Sequence, residues 1–173
     1  MIYDSFNQPT LDHLQGFLYS LACIRNQLFP QEDVNYQYYF LELFNHNNSN
    51  PKEVLIQLIT EHIQDIDEKD RQYIYINSNL NEITSDWRTT IEDSIKTYFS
   101  PVDALNDCYS CRKFFEILIE FLEIKTDLNV FEWKLDMNKP PYNFYYQWGM
   151  DFKAYLFILN DKMYFLHFAT ALG

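Results

Sequence analysis

The sequence predicts an α+β protein, in which a mostly helical N-terminal two-thirds packs on a small C-terminal antiparallel sheet ending in a β-hairpin. Three observations predict this class. Apolar residues recur at helical spacing over about 10–124. Over about 128–173 they alternate with polar residues or run together, as strands do. No linker separates the two parts, so we expect residues 1–173 to form one domain.

The N-terminal helices are predicted from their caps and their apolar spacing. Thr10 suits the N-cap of a helix that runs to about Phe29, where Pro30 ends it. A second helix is predicted over about 32–46, because its apolar residues fall near one face. These residues are Val34, Tyr38, Leu41 and Phe44.

A polar loop, "NHNNSN" at 45–50, leads into the next helix. Asn50 and Pro51 are typical of a cap followed by the first turn, and Glu53 stands at the third helical position. The apolar stripe of this helix consists of Leu55, Leu58, Ile59, His62, Ile63 and Ile66. For Tyr73–Ile76 the periodicity does not decide between strand and helix.

Two further helices are predicted over about 85–99 and about 102–124, separated by Ser100-Pro101. The first carries Trp87, Ile91, Ile95 and Tyr98 on one side. The second contains the motif "CYSC", whose Cys108 and Cys111 continue into an apolar stripe. Because cysteine in such a stripe behaves as a small hydrophobe, we expect both to pack in the core rather than to bind metal or act in redox chemistry.

Strands are predicted beyond residue 128. The stretch "NVFEWKLDM" alternates as a strand does, and "YNFYYQWG", after Pro140-Pro141, is a second strand-like run. The closing stretch 152–173 is too interrupted to span a membrane and is predicted to be a hairpin turning at Asn160-Asp161. In this register Leu159 pairs with Lys162 and Phe157 with Tyr164.

The hairpin register sorts its side chains into two faces. One face is almost wholly apolar and is expected to be core: Phe152, Ala154, Leu156, Ile158, Met163, Phe165, His167 and Ala169. The other is expected to be partly exposed: Lys153, Tyr155, Phe157, Leu159, Lys162, Tyr164, Leu166, Phe168 and Thr170. Tyr155 and Tyr164 on this second face are candidate contacts for a partner.

The formal net charge of −12 argues against binding to nucleic acid or to an anionic membrane, both of which attract Lys and Arg. It favours a basic protein as the partner, and the alternative is that the acidity serves solubility alone. Residues 61–107 carry eleven acids and four bases, so most of the charge lies there. The early sequence is interrupted by Asp4 and "NQP", which is not typical of a signal peptide, and the three cysteines do not resemble a disulfide framework. We therefore expect a cytoplasmic protein.

The motifs of common enzymes are missing from the sequence. Only three glycines occur, so neither GxGxxG, nor a P-loop, nor GxSxG can form. The histidines show no ligand spacing, and His62 and His167 lie in apolar stripes, where hydrogen-bonded core positions are expected. We predict no catalytic residue, no metal site and no cofactor, and hence no enzyme.

An acidic run is the strongest candidate for a partner-binding site. It comprises Asp65, Asp67, Glu68 and Asp70 and is expected to be extended by Asp86, Glu92 and Asp93. Such carboxylates would form a landing site for Lys and Arg of a partner. The alternative is a solvated turn between helices.

This acidic, glycine-poor and aromatic-rich chain, with its cluster "DIDEKD" and no catalytic motif, resembles bacterial immunity proteins. The resemblance implies a protein-binding inhibitor that neutralises a basic toxin, often a nuclease in this class, by occluding its cleft with carboxylates and tyrosines. Two alternatives remain: a nucleic-acid mimic that inhibits a DNA-binding protein, and an enzyme with a carboxylate site.

Overall fold

A five-stranded antiparallel sheet, in the order β1-β5-β4-β3-β2, organises the part of the chain that the computed structural model describes. That part comprises residues 10–28, 34–43, 50–84, 86–99, 109–123, 128–136, 138–149, 151–159 and 162–172. The strands are β1 (Val34–Leu43), β2 (Ser78–Glu82), β3 (Leu128–Leu135), β4 (Asp151–Leu159) and β5 (Lys162–Leu172). The α+β class is confirmed, with two strands supplied by the N-terminal part.

Helices cover both faces of this sheet. They are α1 (Leu11–Leu28), α2 (Pro51–His62), α3 (Glu68–Asn77), α4 (Trp87–Phe99), α5 (Tyr109–Glu123) and α6 (Tyr142–Gln147). One core lies between the sheet and α1, α4 and α5, and a second lies between the sheet and α2, α3 and α6. Among the described helices none is long and apolar enough to cross a membrane.

The closing hairpin has the predicted register, with Leu159 opposite Lys162 and Phe157 opposite Tyr164. The turn at Asn160-Asp161 lies outside the described residues. The first face is core, as predicted. Lys153 and Lys162 of the second face are exposed as expected. The expectation that Tyr155 and Tyr164 offer exposed surface is wrong, because α1, α4 and α5 bury Tyr155, Phe157, Leu159, Tyr164, Leu166 and Phe168.

The helix predicted over 32–46 is wrong, because Val34–Leu43 forms β1. The segment "VNYQYYFLEL" is rich in aromatic residues, which suit a strand. Its inward positions Tyr36, Tyr38 and Phe40 are buried at a period of two, and Tyr39 between them is exposed. The segment shows both the helical spacing of its apolar residues and this strand-like alternation. Pairing with β5 makes it a strand.

The strand predicted for "YNFYYQWG" is also wrong, because Tyr142–Gln147 is the helix α6. Phe144 and Trp148, one turn apart, are both buried in the second core, and the Trp148 backbone N–H donates to the Phe144 carbonyl (2.8 Å). Pro141 at the N-cap has no N–H to leave unpaired, which suits a helix start. Phe144 and Trp148 are four residues apart, as on one face of a helix. The many aromatic residues nevertheless made the segment resemble a strand.

The remaining helices follow the sequence closely. The Asn50 side chain accepts from the Lys52 N–H (3.0 Å), and Pro51 opens α2 as predicted. The undecided segment Tyr73–Ile76 is helical, and β2 directly after it was not predicted. Within the helix predicted over 102–124, α5 occupies 109–123. Residues 101–108, which include Cys108, lie outside the described part, as does the side chain of Cys111. The packing of both cysteines therefore stays a prediction.

Candidate functional site

The acidic run lies at the corner between α2 and α3. Asp65 adopts a positive φ of 56° and turns the chain, while the buried Ile63 holds the corner to the core. The corner is also bonded to α6: Asn143 Nδ2 donates to the Asp65 carbonyl (3.0 Å), and Gln147 bonds both backbone groups of Gln64. The run is therefore held in place, with its carboxylates at the surface.

Part of this acidity has a local structural role. Asp67 is the N-cap of α3, and its Oδ1 accepts from the Asp70 N–H (2.8 Å). Glu68 and Asp70 lie in the first turn, where the helix dipole favours negative charge. The structure thus accounts for Asp67 as a cap, and Asp65 and Glu68 are exposed at the surface.

The second group of predicted acids lies elsewhere. Asp86 precedes α4 with a φ of 44°, and its Oδ1 accepts from the Thr89 N–H (3.3 Å). Glu92 pairs with Lys96 (2.8 Å), and Asp93 is exposed on the same helix. Because α4 packs on the opposite face of the sheet from α3, these three acids belong to a different layer from the acidic run.

The two candidate tyrosines are inside the protein. Tyr155 is 1% exposed and Tyr164 is 2% exposed. The Tyr155 hydroxyl bonds the Ser94 hydroxyl (2.6 Å), and burial raises the pKa of Tyr155. The Tyr164 ring stacks on Phe40 at 5.8 Å. Neither side chain offers a surface to a partner in this fold.

An open groove between α2 and α3 was not predicted. Its volume is about 420 Å³, and it is lined by Glu53, Ile56, Gln57, Thr60, Glu68, Arg71, Gln72, Tyr75 and Ile76. Ile76 is 72% exposed and Tyr75 is 41% exposed, so two large apolar side chains stand at its edge. The Lys52 Nζ lies 4.7 Å from the centroid of the Tyr75 ring.

The groove combines apolar surface with carboxylates from both helices. Glu53 comes from α2 and Glu68 from α3, and Glu68 joins the groove to the acidic run. An exposed aromatic pair, Tyr142 and Tyr146, lies on α6 with ring centroids 4.2 Å apart. Since α6 bonds the corner between α2 and α3, the acidic run, the exposed Tyr75 and Ile76, and the Tyr142–Tyr146 pair lie on the layer formed by these helices.

The histidines differ from expectation in opposite ways. His62 was expected in the core but is exposed, and its Nδ1 bonds the Leu58 carbonyl (2.8 Å). His167 is buried as expected, yet neither ring nitrogen has a hydrogen-bond partner among the described residues. Burial lowers the pKa of His167 to about 3, so the ring is neutral. In the described part of the chain, no three His, Cys, Asp or Glu residues come together as metal ligands would.

Comparison with known proteins assigns no family. No family model matches the chain, and no curated protein matches it. Among solved structures, two crystal forms of citrus MAF1, in space groups C2221 and P3121, superpose with TM-scores of 0.48 and 0.47 at 11% identity. The alignments cover 95% and 94% of this chain and 99% of each MAF1 chain. Superposition at this level carries no argument about function.

Proposed function

We propose that this chain is a protein-binding inhibitor of the immunity-protein kind, which holds a basic protein against the groove between α2 and α3. The observation that carries the proposal is the composition of that groove. Exposed Tyr75 and Ile76 stand beside Glu53 and Glu68, and the acidic run continues from one end.

The apolar part of the groove would supply the binding energy. Apolar side chains at the centre of an interface, once covered, account for most of the affinity, because removing apolar area from water is favourable. The burial of Ile76 would contribute most to the binding energy, because Ile76 is more exposed than Tyr75. We therefore expect an apolar or aromatic side chain of the partner to cover Ile76.

The charge would select the partner and speed its approach. With a net charge of −12, the chain attracts basic surfaces and repels acidic ones, so the partner's rim is expected to carry Lys or Arg. A cleft that binds phosphates, as in a nuclease, has this character. The proposed partner is a toxin of that class, occluded by carboxylates in place of phosphates.

The proposal is tested by charge reversal in the groove. Glu53→Lys combined with Glu68→Lys changes two lining carboxylates and leaves the Asp67 cap intact. The control is Glu116→Lys on α5, in the opposite layer, where Glu116 forms an exposed ion pair with Lys113 (3.4 Å). In quantitative pull-downs from the source cell, we expect one basic protein to be retained by the wild type and the control and lost by the groove variant.

The control decides what a negative result means. Equal retention by all three proteins, with thermal unfolding showing all three folded, would contradict the groove as the binding site. Retention of an acidic DNA-binding factor in place of a basic protein would contradict the proposed partner class. For the purified pair, we expect affinity to fall about tenfold or more, and the salt dependence to weaken, in the groove variant alone.

A further inference from the structure

Three tyrosine side chains form a cluster on α6. The ring centroids of Tyr142 and Tyr146 lie 4.2 Å apart, and the Tyr145 ring meets that of Tyr146 edge-on at 5.9 Å. Tyr142 is 69% exposed and Tyr146 is 37% exposed. On the other side of the same helix, Phe144 and Trp148 are buried in the second core. The helix is therefore anchored on one side and presents this tyrosine cluster to solvent on the other.

The tyrosine cluster is bonded to the corner between α2 and α3. Asn143, next to Tyr142 in the chain, donates from its Nδ2 to the Asp65 carbonyl (3.0 Å). Gln147 bonds both backbone groups of Gln64, at 2.8 and 3.3 Å. These three hydrogen bonds hold the exposed rings beside the acidic run.

The corner carries an excess of negative charge, and α6 carries no charged residue. Residues 61–70 contain five acids and one lysine. The Asp67 carboxylate caps α3, whereas the exposed Asp65 carboxylate makes no hydrogen bond or ion pair within the part of the chain that the structure describes. An unpaired carboxylate and exposed aromatic rings therefore belong to the same corner.

We propose that the tyrosine cluster and Asp65 bind an arginine side chain of the basic partner. A guanidinium group is planar, so it stacks on aromatic rings while it donates hydrogen bonds to a carboxylate. A lysine ammonium has the same charge but no flat face to stack. The inference rests on the proposed function for the basic character of the partner, and it adds a contact outside the groove between α2 and α3.

The test titrates the whole chain with two peptides of equal charge, Ac-Arg-Gly-Arg-Gly-Arg-NH2 and Ac-Lys-Gly-Lys-Gly-Lys-NH2, and follows the backbone amides by NMR. At millimolar arginine peptide, we expect saturable shifts of the Tyr142, Asn143 and Asp65 amides. We expect the lysine peptide to bind there about threefold more weakly, because only the guanidinium stacks on the rings. Equal affinities would overturn the proposal. Binding of a pentaproline peptide at the same residues would also overturn it, since the cluster would then be a polyproline-binding surface.

Two pairs of variants test whether the cluster and Asp65 make this contact. Tyr142→Ala is compared with Tyr19→Ala, which removes a similarly exposed ring (71%) from α1. Asp65→Asn is compared with Asp86→Asn, because both positions have a positive φ, 56° and 44°, which asparagine tolerates. Each aspartate change removes one negative charge. We expect Tyr142→Ala and Asp65→Asn to weaken binding of the arginine peptide about threefold, and the two controls to leave it unchanged.

The outcomes separate this inference from the proposed function. Equal effects within either pair of variants would overturn the inference. Shifts of the Tyr142 amide on dilution without peptide would also overturn it, since a second copy of the chain would then occupy the cluster. The pull-down with Glu53→Lys and Glu68→Lys tests the groove alone, so either surface can fail while the other is retained.

Discussion

Replacing Phe168 by alanine is expected to lower the free energy of unfolding by about 3–5 kcal/mol, the range for removing a fully buried aromatic ring. Phe168 lies on β5 with no exposed surface, where it meets helices of the first core. Its ring centroid lies 5.5 Å from that of Tyr98, 5.7 Å from that of Tyr38 and 6.5 Å from that of Phe114. The substitution therefore removes contacts to β1, α4 and α5 together.

The measurement is denaturant unfolding of the wild type and the variant, with the midpoint and the slope fitted separately. The control is Tyr19→Ala on α1, where the side chain is 71% exposed and a change within about 0.5 kcal/mol is expected. If Phe168→Ala cost no more than Tyr19→Ala, the hairpin face would not be buried under α4 and α5, and the three-layer arrangement would be wrong.

The second large effect is a loss of stability in acid that depends on His167. Its ring packs between Tyr39 at 5.9 Å and Trp148 at 4.7 Å, with Phe165 beside it, and no described group bonds its nitrogens. Burial lowers the pKa of His167 from 6.5 to about 3, so between these values the unfolded chain binds a proton that the folded chain does not. The contribution of His167 to the free energy of unfolding is therefore complete above pH 6.5. It falls by about 1.4 kcal/mol for each pH unit between 6.5 and about 3.

The comparison that isolates this effect is His167→Phe, which keeps an aromatic ring among aromatic neighbours. Carboxylates titrate in the same pH range, but they are shared by both proteins, so the difference between the two stability curves reports His167 alone. We expect the wild type to lose stability relative to the variant as the pH falls from 6.5 to 4.5. Parallel curves over that range would mean that His167 is accessible to water in the folded protein.

Local signals predicted the elements that local chemistry determines. The cap formed by Asn50 and Pro51 starts α2, and the hairpin register follows from the position of Asn160-Asp161 and the pairing of Phe157 with Tyr164. In both cases the stabilising contacts lie close in the sequence. The sequence alone was therefore sufficient.

Long-range packing decided the elements that were mispredicted. Val34–Leu43 fits a helix and a strand almost equally, and its partner β5 lies more than a hundred residues away. Tyr142–Gln147 is helical because Phe144 and Trp148 pack on the second core, which no local pattern records. Tyr155 and Tyr164 were expected near the surface because one covered face is usual for an antiparallel sheet, whereas here helices cover both.

The candidate site was only partly accessible to sequence reasoning. The run Asp65–Asp70 was found from composition, and the structure confirms its place at a corner between helices while assigning Asp67 to capping. The groove between α2 and α3 was missed because Tyr73–Ile76 had no decided structure. Once that segment is helical, Glu68, Gln72, Tyr75 and Ile76 fall on one face.

The central claim, that a basic protein binds at the groove between α2 and α3, is tested most directly by photo-crosslinking in the source cell. A benzophenone amino acid replaces Ile76 at the groove in one protein and Tyr19, which is similarly exposed on the opposite layer, in the other. We expect the Ile76 position, and not the Tyr19 position, to crosslink to one protein of net positive charge. Crosslinks of equal yield at both positions, or at neither, would contradict the claim.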